Sequence, residues 1–379
     1  MKNSSGVTGR QHLGEARRWV IKVGSALITD DGRTLDSEVL QLLVDQLALL
    51  KSMGREVVLV SSGSIAAGLV RLNLKIKPRE MHLLQAAAAV GQSALVRTYE
   101  ELLAPHGVMS AQILLSHADV LARDRYLNAR STLNTLLKMN ILPIVNENDT
   151  VVTDEIKLGD NDTLAALVAN LIDADALLIL TDQDGLMDHD PRMASEVKLI
   201  SSADVHDLDL DKMAGSGGAL GQGGMATKLS AARLAARSGT ETIIANGRQP
   251  EVINLVVRGA EAGTFLHTNR RPQSARKQWL AGLLHSKGKL VLDDGAIERL
   301  VDQGSSLLPI GITSIQGQFS RGDLVTCLDS TGKEHARGLV NYSSKEADLL
   351  AGKPSSLIKT ILGYHGEPEM IHRDNLIQG

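Results

Sequence analysis

The sequence predicts a three-layer α/β sandwich with a mainly parallel central sheet, followed by a small, mostly-β domain. Three observations carry this expectation. The first two-thirds of the chain alternates short apolar runs with helical patterns. The runs are too continuous for strands with one wet face and suit parallel strands buried on both faces. Near residue 260 the alternation stops, and short β-like pieces separated by turn residues take over.

The expected strands of the first domain are Trp19–Ile28, Val57–Val60, Ala111–Leu115, Ile141–Val145, Leu177–Leu180 and Thr242–Ala245, the last closing the sheet. Asp36 can cap a helix over Ser37–Met53, in which Val39, Leu40, Leu43, Leu47 and Leu50 keep helical spacing and Gly54 follows as terminator. Asp162 is placed to cap Thr163–Ile172, and Met225–Ser238 runs up to Gly239. In the second domain the expected strands are Lys289–Leu292, Ile312–Ile315, Leu324–Leu328 and Gly338–Val340. Asp294-Gly295, Arg321-Gly322-Asp323 and Thr331-Gly332 read as the turns between them. The organisation expected is a disordered segment over 1–16, an α/β domain over 17–266, a linker over 267–285 rich in arginine (Arg270, Arg271, Arg276), a β domain over 286–368 and a tail over 369–379.

Composition narrows the function. The 379 residues hold 40 Lys+Arg against 44 Asp+Glu, and only eight aromatics (Trp 2, Tyr 4, Phe 2). That argues against a protein holding nucleic acid by charge or by base stacking. The β domain gives RNA no better footing, with 10 Lys+Arg and 12 Asp+Glu over 286–379. No apolar run approaches the roughly eighteen residues of a membrane span, and the polar start resembles no secretory signal. One cysteine, Cys327, makes no intrachain disulfide and fits a reducing compartment. A cytoplasmic enzyme is the expectation.

In open parallel sheets ligands bind beyond the carboxyl ends of the strands, often on helix N-termini. Five segments qualify. Lys22-Val23-Gly24-Ser25 places a lysine inside an apolar strand, where it needs a partner, next to a glycine that admits close backbone approach. Ser61-Ser62-Gly63-Ser64-Ile65-Ala66-Ala67-Gly68 offers small residues and free N–H groups between a strand and a helix. Asn146-Glu147-Asn148-Asp149 and Lys157-Leu158-Gly159-Asp160-Asn161-Asp162 gather acids, amides and a lysine that could bind an ammonium, coordinate Mg²⁺ or cap a helix. Gly215–Lys228 is dense in glycine and leads into a helix with Lys228 near its start, as a chain wrapping an anion would.

Other sites are excluded. Thr227-Lys228 reverses the order a P-loop needs. The loose dinucleotide fingerprint at Gly221–Ala226 has no strand leading into it, and Glu241 begins the next strand instead of ending it. No zinc-type histidine pair and no Gly-x-Ser-x-Gly elbow occurs.

Together these segments resemble the amino-acid kinase family, closest to its members that phosphorylate the side-chain carboxylate of glutamate. Lys22-Val23-Gly24-Ser25 is similar to the family's first strand, and Ser61–Gly68 to its substrate loop. The most specific stretch is Asn146–Asp162 (NENDTVVTDEIKLGDND). Thr181-Asp182-Gln183-Asp184-Gly185-Leu186, Asp190-Pro191-Arg192 and Gly223–Lys228 resemble the nucleotide side, and Ser305–Asp323 resembles a PUA domain. Two departures stand out: Ala26 replaces a second hydroxyl after Ser25, and Met187 stands where tyrosine is common.

The resemblance implies ATP-dependent formation of L-glutamyl 5-phosphate, the first step towards proline, with ATP and Mg²⁺ as cofactors. It implies Lys22, Lys228 and Asp162 as catalytic residues, the carboxylate orienting the lysines. ATP would meet Lys22, Gly24, Thr181, Asp182, Gln222, Gly223, Gly224, Met225, Ala226, Thr227 and Lys228. Glutamate would meet Ser62, Gly63, Asp149 and Asn161, with Asp149 as ammonium partner and no protein ligand for the metal. Feedback inhibition by proline, a homo-oligomer (dimer or tetramer) and handover to a glutamyl-phosphate reductase are implied as well. The alternatives are kinases of this fold acting on aspartate, N-acetylglutamate, carbamate or a nucleoside monophosphate, and a PUA-type RNA-binding protein.

Overall fold

The computed structural model describes residues 5–30, 34–74, 76–151, 161–189, 196–214, 224–268 and 286–378. The chain divides into two units, Met1–Val120 with Arg130–Pro272 and Leu121–Ala129 with Gln273–Gly379.

The first unit is built on eight strands: β1 (Arg18–Val23), β4 (Glu56–Ser61), β5 (Ser110–Leu115), β6 (Leu142–Glu147), β7 (Ala176–Thr181), β8 (Ser202–Asp204), β9 (Glu241–Asn246) and β10 (Thr264–His267). A two-stranded ribbon of β2 (Thr29–Asp30) and β3 (Thr34–Leu35) stands apart. The sheet runs in the order β5-β6-β4-β1-β7-β9-β10-β8, and β10 pairs antiparallel with β9 while the other pairs are parallel. The mainly parallel α/β layering expected from the sequence is therefore present. The sheet does not close near Ala245, however. Phe265 and its neighbours form β10 beyond it, a strand too short and too polar at Thr264 and His267 to announce itself.

Alternation along β1 divides the sheet into two unlike faces. Trp19, Ile21 and Val23 share one apolar core with Val57, Leu59, Leu178 and Ile243, roofed by the helices Ser37–Ser52, Met81–Leu103 and Val252–Val257. Val20 and Lys22 point to the other face, where the helices Asp162–Ile172 and Met225–Ala235 pack against β1, β7 and β9. Both faces are covered, which is why the strands read as unbroken apolar runs.

Local signals behave as their chemistry requires, with instructive exceptions. Asp36 caps its helix by accepting from the Val39 amide at 3.1 Å, and Gly54 and Gly239 are left-handed at helix ends. The run Trp19–Ile28 is not one strand. It breaks at Gly24 and continues as the short helix Ser25–Ile28. Asn146 and Glu147 are the last two residues of β6 and not the loop after it. Asp162 caps nothing: the N-cap is Asn161, and the Asp162 side chain is engaged elsewhere. Met81–Leu103, unmarked in the sequence, starts without a side-chain cap, and Ala86-Ala87-Ala88-Ala89 blurs its apolar period.

The segment before residue 17, expected to be disordered, carries the helix Ser5–His12. Arg10, 6% exposed, donates to the carbonyls of Ala260 (2.9 Å), Gly263 (2.8 Å), Ala262 (3.2 Å) and Ser201. Four backbone acceptors on one guanidinium tie this segment to the chain around β10.

The second unit holds five strands, β11 (Gly288–Leu292), β12 (Ile312–Gly317), β13 (Leu324–Leu328), β14 (Glu334–Leu339) and β15 (Leu376–Gln378), in the order β12-β11-β13-β14-β15. Asp294-Gly295 is not a turn. Asp293 accepts from the Ala296 amide and starts the helix Asp294–Val301. The expected tail over 369–379 belongs to this unit as well, since Met370 and Ile371 are fully buried and β15 pairs with β14. Cys327 is buried in β13, and burial pushes its thiol up to about 12. Of the linker expected over 267–285, His267 instead ends β10, and the stretch from residue 269 to 285, including Arg270, Arg271 and Arg276, lies outside the described residues.

Two helices meet backbone to backbone beside the carboxyl end of β4. A Cβ on Gly91 would lie 1.8 Å from the Ser64 carbonyl oxygen, and one on Gly68 would lie 1.8 Å from that of Ala87. Gly91→Ala must push apart Ser64–Arg71 and Met81–Leu103. An overpacking loss of about 1–3 kcal/mol is expected in urea unfolding. An unchanged midpoint would show that the crossing relaxes freely.

Candidate active site

The lysine that looked misplaced inside β1 has its partner on the sheet's second face. Lys22 Nζ lies 2.5 Å from Asp162 Oδ1, and Lys228 Nζ lies 3.1 Å from Asp162 Oδ2. Lys22 and Lys228 are 4% and 5% exposed and Asp162 is wholly buried. Three elements thus converge on one carboxylate, which holds both ammonium groups at fixed separation. The three groups together carry one net positive charge, the sign a phosphate requires. Gly24 lies beside the Lys22 amine, a Cβ there standing 3.5 Å from Nζ, an ordinary contact.

Next come the other residues expected on the nucleotide side. Gly224 is the N-cap of Met225–Ala235, and its carbonyl accepts from the Thr227 hydroxyl at 2.7 Å. Met225, Ala226 and Thr227 form the first turn, at the helix's positive end, with the Thr227 amide donating to the Gly224 carbonyl at 3.2 Å. Thr181 ends β7 and donates to the Asp182 carboxylate at 3.1 Å. Gln222 and Gly223 lie outside the described residues, as do Lys157–Asp160 and Asp190-Pro191-Arg192.

A second, uncharged-to-acidic cluster sits at the carboxyl ends of β4 and β6. Asn161, 2% exposed, donates from Nδ2 to Asn146 Oδ1 (2.8 Å), Ser62 Oγ (3.0 Å) and the Ser61 carbonyl (3.3 Å). Asn146 donates in turn to Gln92 Oε1 at 2.7 Å. Ser64 donates to Asp149 Oδ2 at 3.1 Å. Ser61 shares a hydrogen bond with Tyr99 OH at 2.8 Å. Gly63, with φ of 100°, is the left-handed N-cap that turns the chain from β4 into Ser64–Arg71. A β-carbon-bearing residue is strained at that angle.

Of this cluster only Gln92 escaped the sequence reading altogether; Ser64, Asn146 and Glu147 lay in candidate segments but were given no role. Asn146 and Glu147 were visible as polar residues ending an apolar run. Gln92 carried no signal, because a glutamine in an alanine-rich helix looks like a solvent-facing one. Burial leaves Asn161 Oδ1 and Gln92 Nε2 without hydrogen-bond partners, a state that polar groups keep where a ligand completes them. Asp149 is pushed up to about 6, chiefly by burial, with the Ser64 hydrogen bond opposing and nearby Glu147 adding to the rise.

Asp162→Asn removes the carboxylate from between two buried ammonium groups. A stability loss of about 3–5 kcal/mol is expected in chemical unfolding without ligand. Added pyrophosphate should restore more stability to this variant than to the parent protein. Equal stability of the two proteins would mean that the lysines do not depend on Asp162.

Residues 17–246 match the amino acid kinase family, and residues 288–362 match the PUA domain. A glutamate 5-kinase of Chromohalobacter salexigens is 56% identical over 368 residues, covering 97% of each chain. One of Thioalkalivibrio sulfidiphilus is 55% identical, covering 97% of this chain and 98% of its own. One of Pseudomonas aeruginosa is 54% identical, covering 97% and 99%. Among the described residues no helix is long and apolar enough to cross a membrane. With two lysines on one buried aspartate beyond a parallel sheet and relatives of this identity along nearly the whole chain, the chain belongs to the amino acid kinase family, among its glutamate 5-kinases.

Proposed function

We propose that the protein transfers the γ-phosphoryl group of ATP to the side-chain carboxylate of L-glutamate, giving ADP and L-glutamyl 5-phosphate. One observation carries the reading: consecutive residues, Asn161 and Asp162, face two different polar clusters. Asn161 joins Ser62 and Asn146, and Asp162 joins Lys22 and Lys228. Their shared backbone fixes an acceptor site against a donor site at the start of one helix. The Ser62 amide, bonded to the Val23 carbonyl at 3.2 Å, ties the acceptor loop to β1 as well.

A carboxylate nucleophile is ionised at neutral pH, so the transfer needs no general base. Catalysis then rests on positioning and on neutralising charge at the moving group. Lys22 serves the transferring phosphoryl oxygens and Lys228 the nucleotide phosphates, each worth about 3 kcal/mol by comparison with other preorganised charge donors. Asp162 holds the pair in register. Gly24, Thr181, Asp182 and the turn from Gly224 to Thr227, with Gln222 and Gly223 before it, complete the ATP site. Ser62, Gly63, Asp149 and Asn161 receive glutamate, Asp149 taking its ammonium. Mg²⁺ accompanies ATP. Among the described residues no group of three or more His, Cys, Asp or Glu could hold a metal ion. Phosphate oxygens and water are its proposed ligands, and no step is assigned to it.

Proline shares glutamate's α-carboxylate and a positively charged α-nitrogen, so it fits the same acceptor groups and is the proposed feedback inhibitor. A homo-oligomer and handover of the labile acyl phosphate to a reductase belong to the same reading.

Purified protein should form hydroxamate from glutamate, ATP and hydroxylamine, and proline should suppress it. No hydroxamate with glutamate, but product with aspartate or N-acetylglutamate, would replace the acceptor. Lys22→Met should lower kcat by about a hundredfold or more, as loss of a transition-state contact does. Retention of a tenth of the rate would remove Lys22 from the transfer.

The Asp149 carboxyl must be charged to pair with an ammonium, and in the empty site it ionises at about 6. As pH falls through that value the free enzyme loses the charge, so kcat/KM for glutamate should fall on the acid side with a midpoint near 6. Asp149→Asn should lower kcat/KM and abolish that limb. An acid limb unchanged in the variant would assign it to another group.

A further inference from the structure

Among the described residues at the carboxyl edge of the sheet, Arg248 is a cation that the mechanism above leaves without a role. β1, β7 and β9 are adjacent and parallel, with β7 in the middle. Their exits therefore lie side by side: Gly24-Ser25-Ala26 after β1, Asp182 after β7, and Gly247-Arg248 after β9. Arg248 is exposed, yet its Nη2 donates to the Ala26 carbonyl at 3.3 Å. The guanidinium therefore lies at the exit of β1, beside Gly24 and Ser25, and the strand between β1 and β9 is β7, whose end opens into Thr181 and Asp182.

The turn carrying it is held from several sides. Asn246 Oδ1 accepts from the Arg248 amide at 2.9 Å, and Asn246 Nδ2 donates to Asp184 Oδ1 at 2.8 Å. The Gly247 amide donates to the Thr181 carbonyl at 2.8 Å. A Cβ at Gly247 would lie 2.4 Å from Leu27 Cδ1 and 3.2 Å from Leu180 Cβ. The glycine lets the exit of β9 approach the β1 exit and the end of β7 without displacing the Leu27 side chain.

Charge gives the arrangement a purpose. Asp182 and Asp184 are exposed carboxylates just after β7 and repel a polyphosphate. Ala26, where the family commonly has a hydroxyl, brings no side-chain donor. A guanidinium bound to one carbonyl keeps its remaining N–H groups available in a planar fork suited to phosphate oxygens.

We propose that Arg248 is a nucleotide-binding residue, holding the phosphate chain of the nucleoside di- or triphosphate at the exit of β1. The proposal rests on the kinase reading above, and its test separates the two. In full-length protein, Arg248→Gln should weaken ADP binding, measured by calorimetry without glutamate, by about tenfold or more, the scale of a lost charge-assisted contact. It should raise the ATP KM by a similar factor and leave the glutamate KM and the thermal midpoint unchanged. Arg248→Lys, keeping the charge without the fork, should recover part of the affinity. Unchanged ADP affinity would overturn the proposal. So would a fall in thermal midpoint with both KM values rising together, which would make Arg248 a structural tether of the Ala26 loop. A wild-type protein that binds ADP through Arg248 but forms no hydroxamate would support this proposal and defeat the glutamate reading instead.

Discussion

The Asp162 carboxylate, shared between Lys22 and Lys228, is the interaction on which the arrangement of this protein depends. A buried carboxylate with no exposed surface costs several kcal/mol in desolvation unless charged partners surround it. Here the partners come from the first strand and from a helix more than sixty residues downstream of Asp162, with the carboxylate at the start of a third element. Each lysine is in turn tolerable only because Asp162 is there. Sheet, Asp162 helix and Lys228 helix are therefore locked by a single three-membered cluster. The cluster's net positive charge makes it a receiver of anions and not merely a staple.

The sheet supplies the frame for that cluster through its two faces. Alternation sends Trp19, Ile21 and Val23 into an apolar core and leaves the Lys22 position on the face where the Asp162 and Lys228 helices pack. The apolar face anchors β1 so firmly that Lys22 is carried into place by its neighbours. At the end of β4 the same economy recurs. The glycine-mediated crossing of Ser64–Arg71 with Met81–Leu103 brings Ser64 towards Asp149 and Gln92 towards Asn146. At the opposite end of the sheet two arginines likewise converge on one carboxylate, but on Glu56 and with partly exposed side chains. There Arg17, Arg18 and Glu56 form pairs near the surface, where ion pairs contribute little.

Residues whose role is set by near neighbours were legible in the sequence, and residues set by distant partners were not. The apolar runs that became β4, β6, β7 and β9 reported double-sided burial directly, whereas β5, at the sheet edge, leaves Gln112 and Leu114 exposed. Asp36 read correctly as a cap because its partner is three residues away. Asp162 read as a cap for the same local reason and was not one, since its partners lie 140 and 66 positions away. Gln92 gave no sign of itself, because its value comes from Asn146 across a helix–strand boundary. Arg10 looked like one charge in a polar leader, and only the four carbonyls near β10 turn it into a buried anchor. Lys22 is the informative intermediate case. A lysine in an apolar strand declared that some partner existed without saying which one, and the family resemblance named it.

The two clusters differ in sign, and that difference orients an acceptor. On the donor side two lysines share one carboxylate. On the acceptor side Asp149 stands near Glu147, with amides and hydroxyls between the clusters. Glutamate is itself a dipolar molecule, with its ammonium at one end and the reacting carboxylate several bonds away. The acidic end attracts the ammonium, and the lysines attract the side-chain carboxylate, so the field alone favours the reactive orientation over its reverse. The α-carboxylate travels with the ammonium and is offset by it, so the reverse binding mode differs in setting the uncompensated side-chain carboxylate against Asp149 and Glu147, which like charges disfavour. Under the proposed function, Asn161 and Asp162 therefore do more than bridge two sites. By being consecutive they keep opposite fields a fixed distance apart, and that distance limits how long an acceptor may be while still delivering its carboxylate to the phosphoryl group.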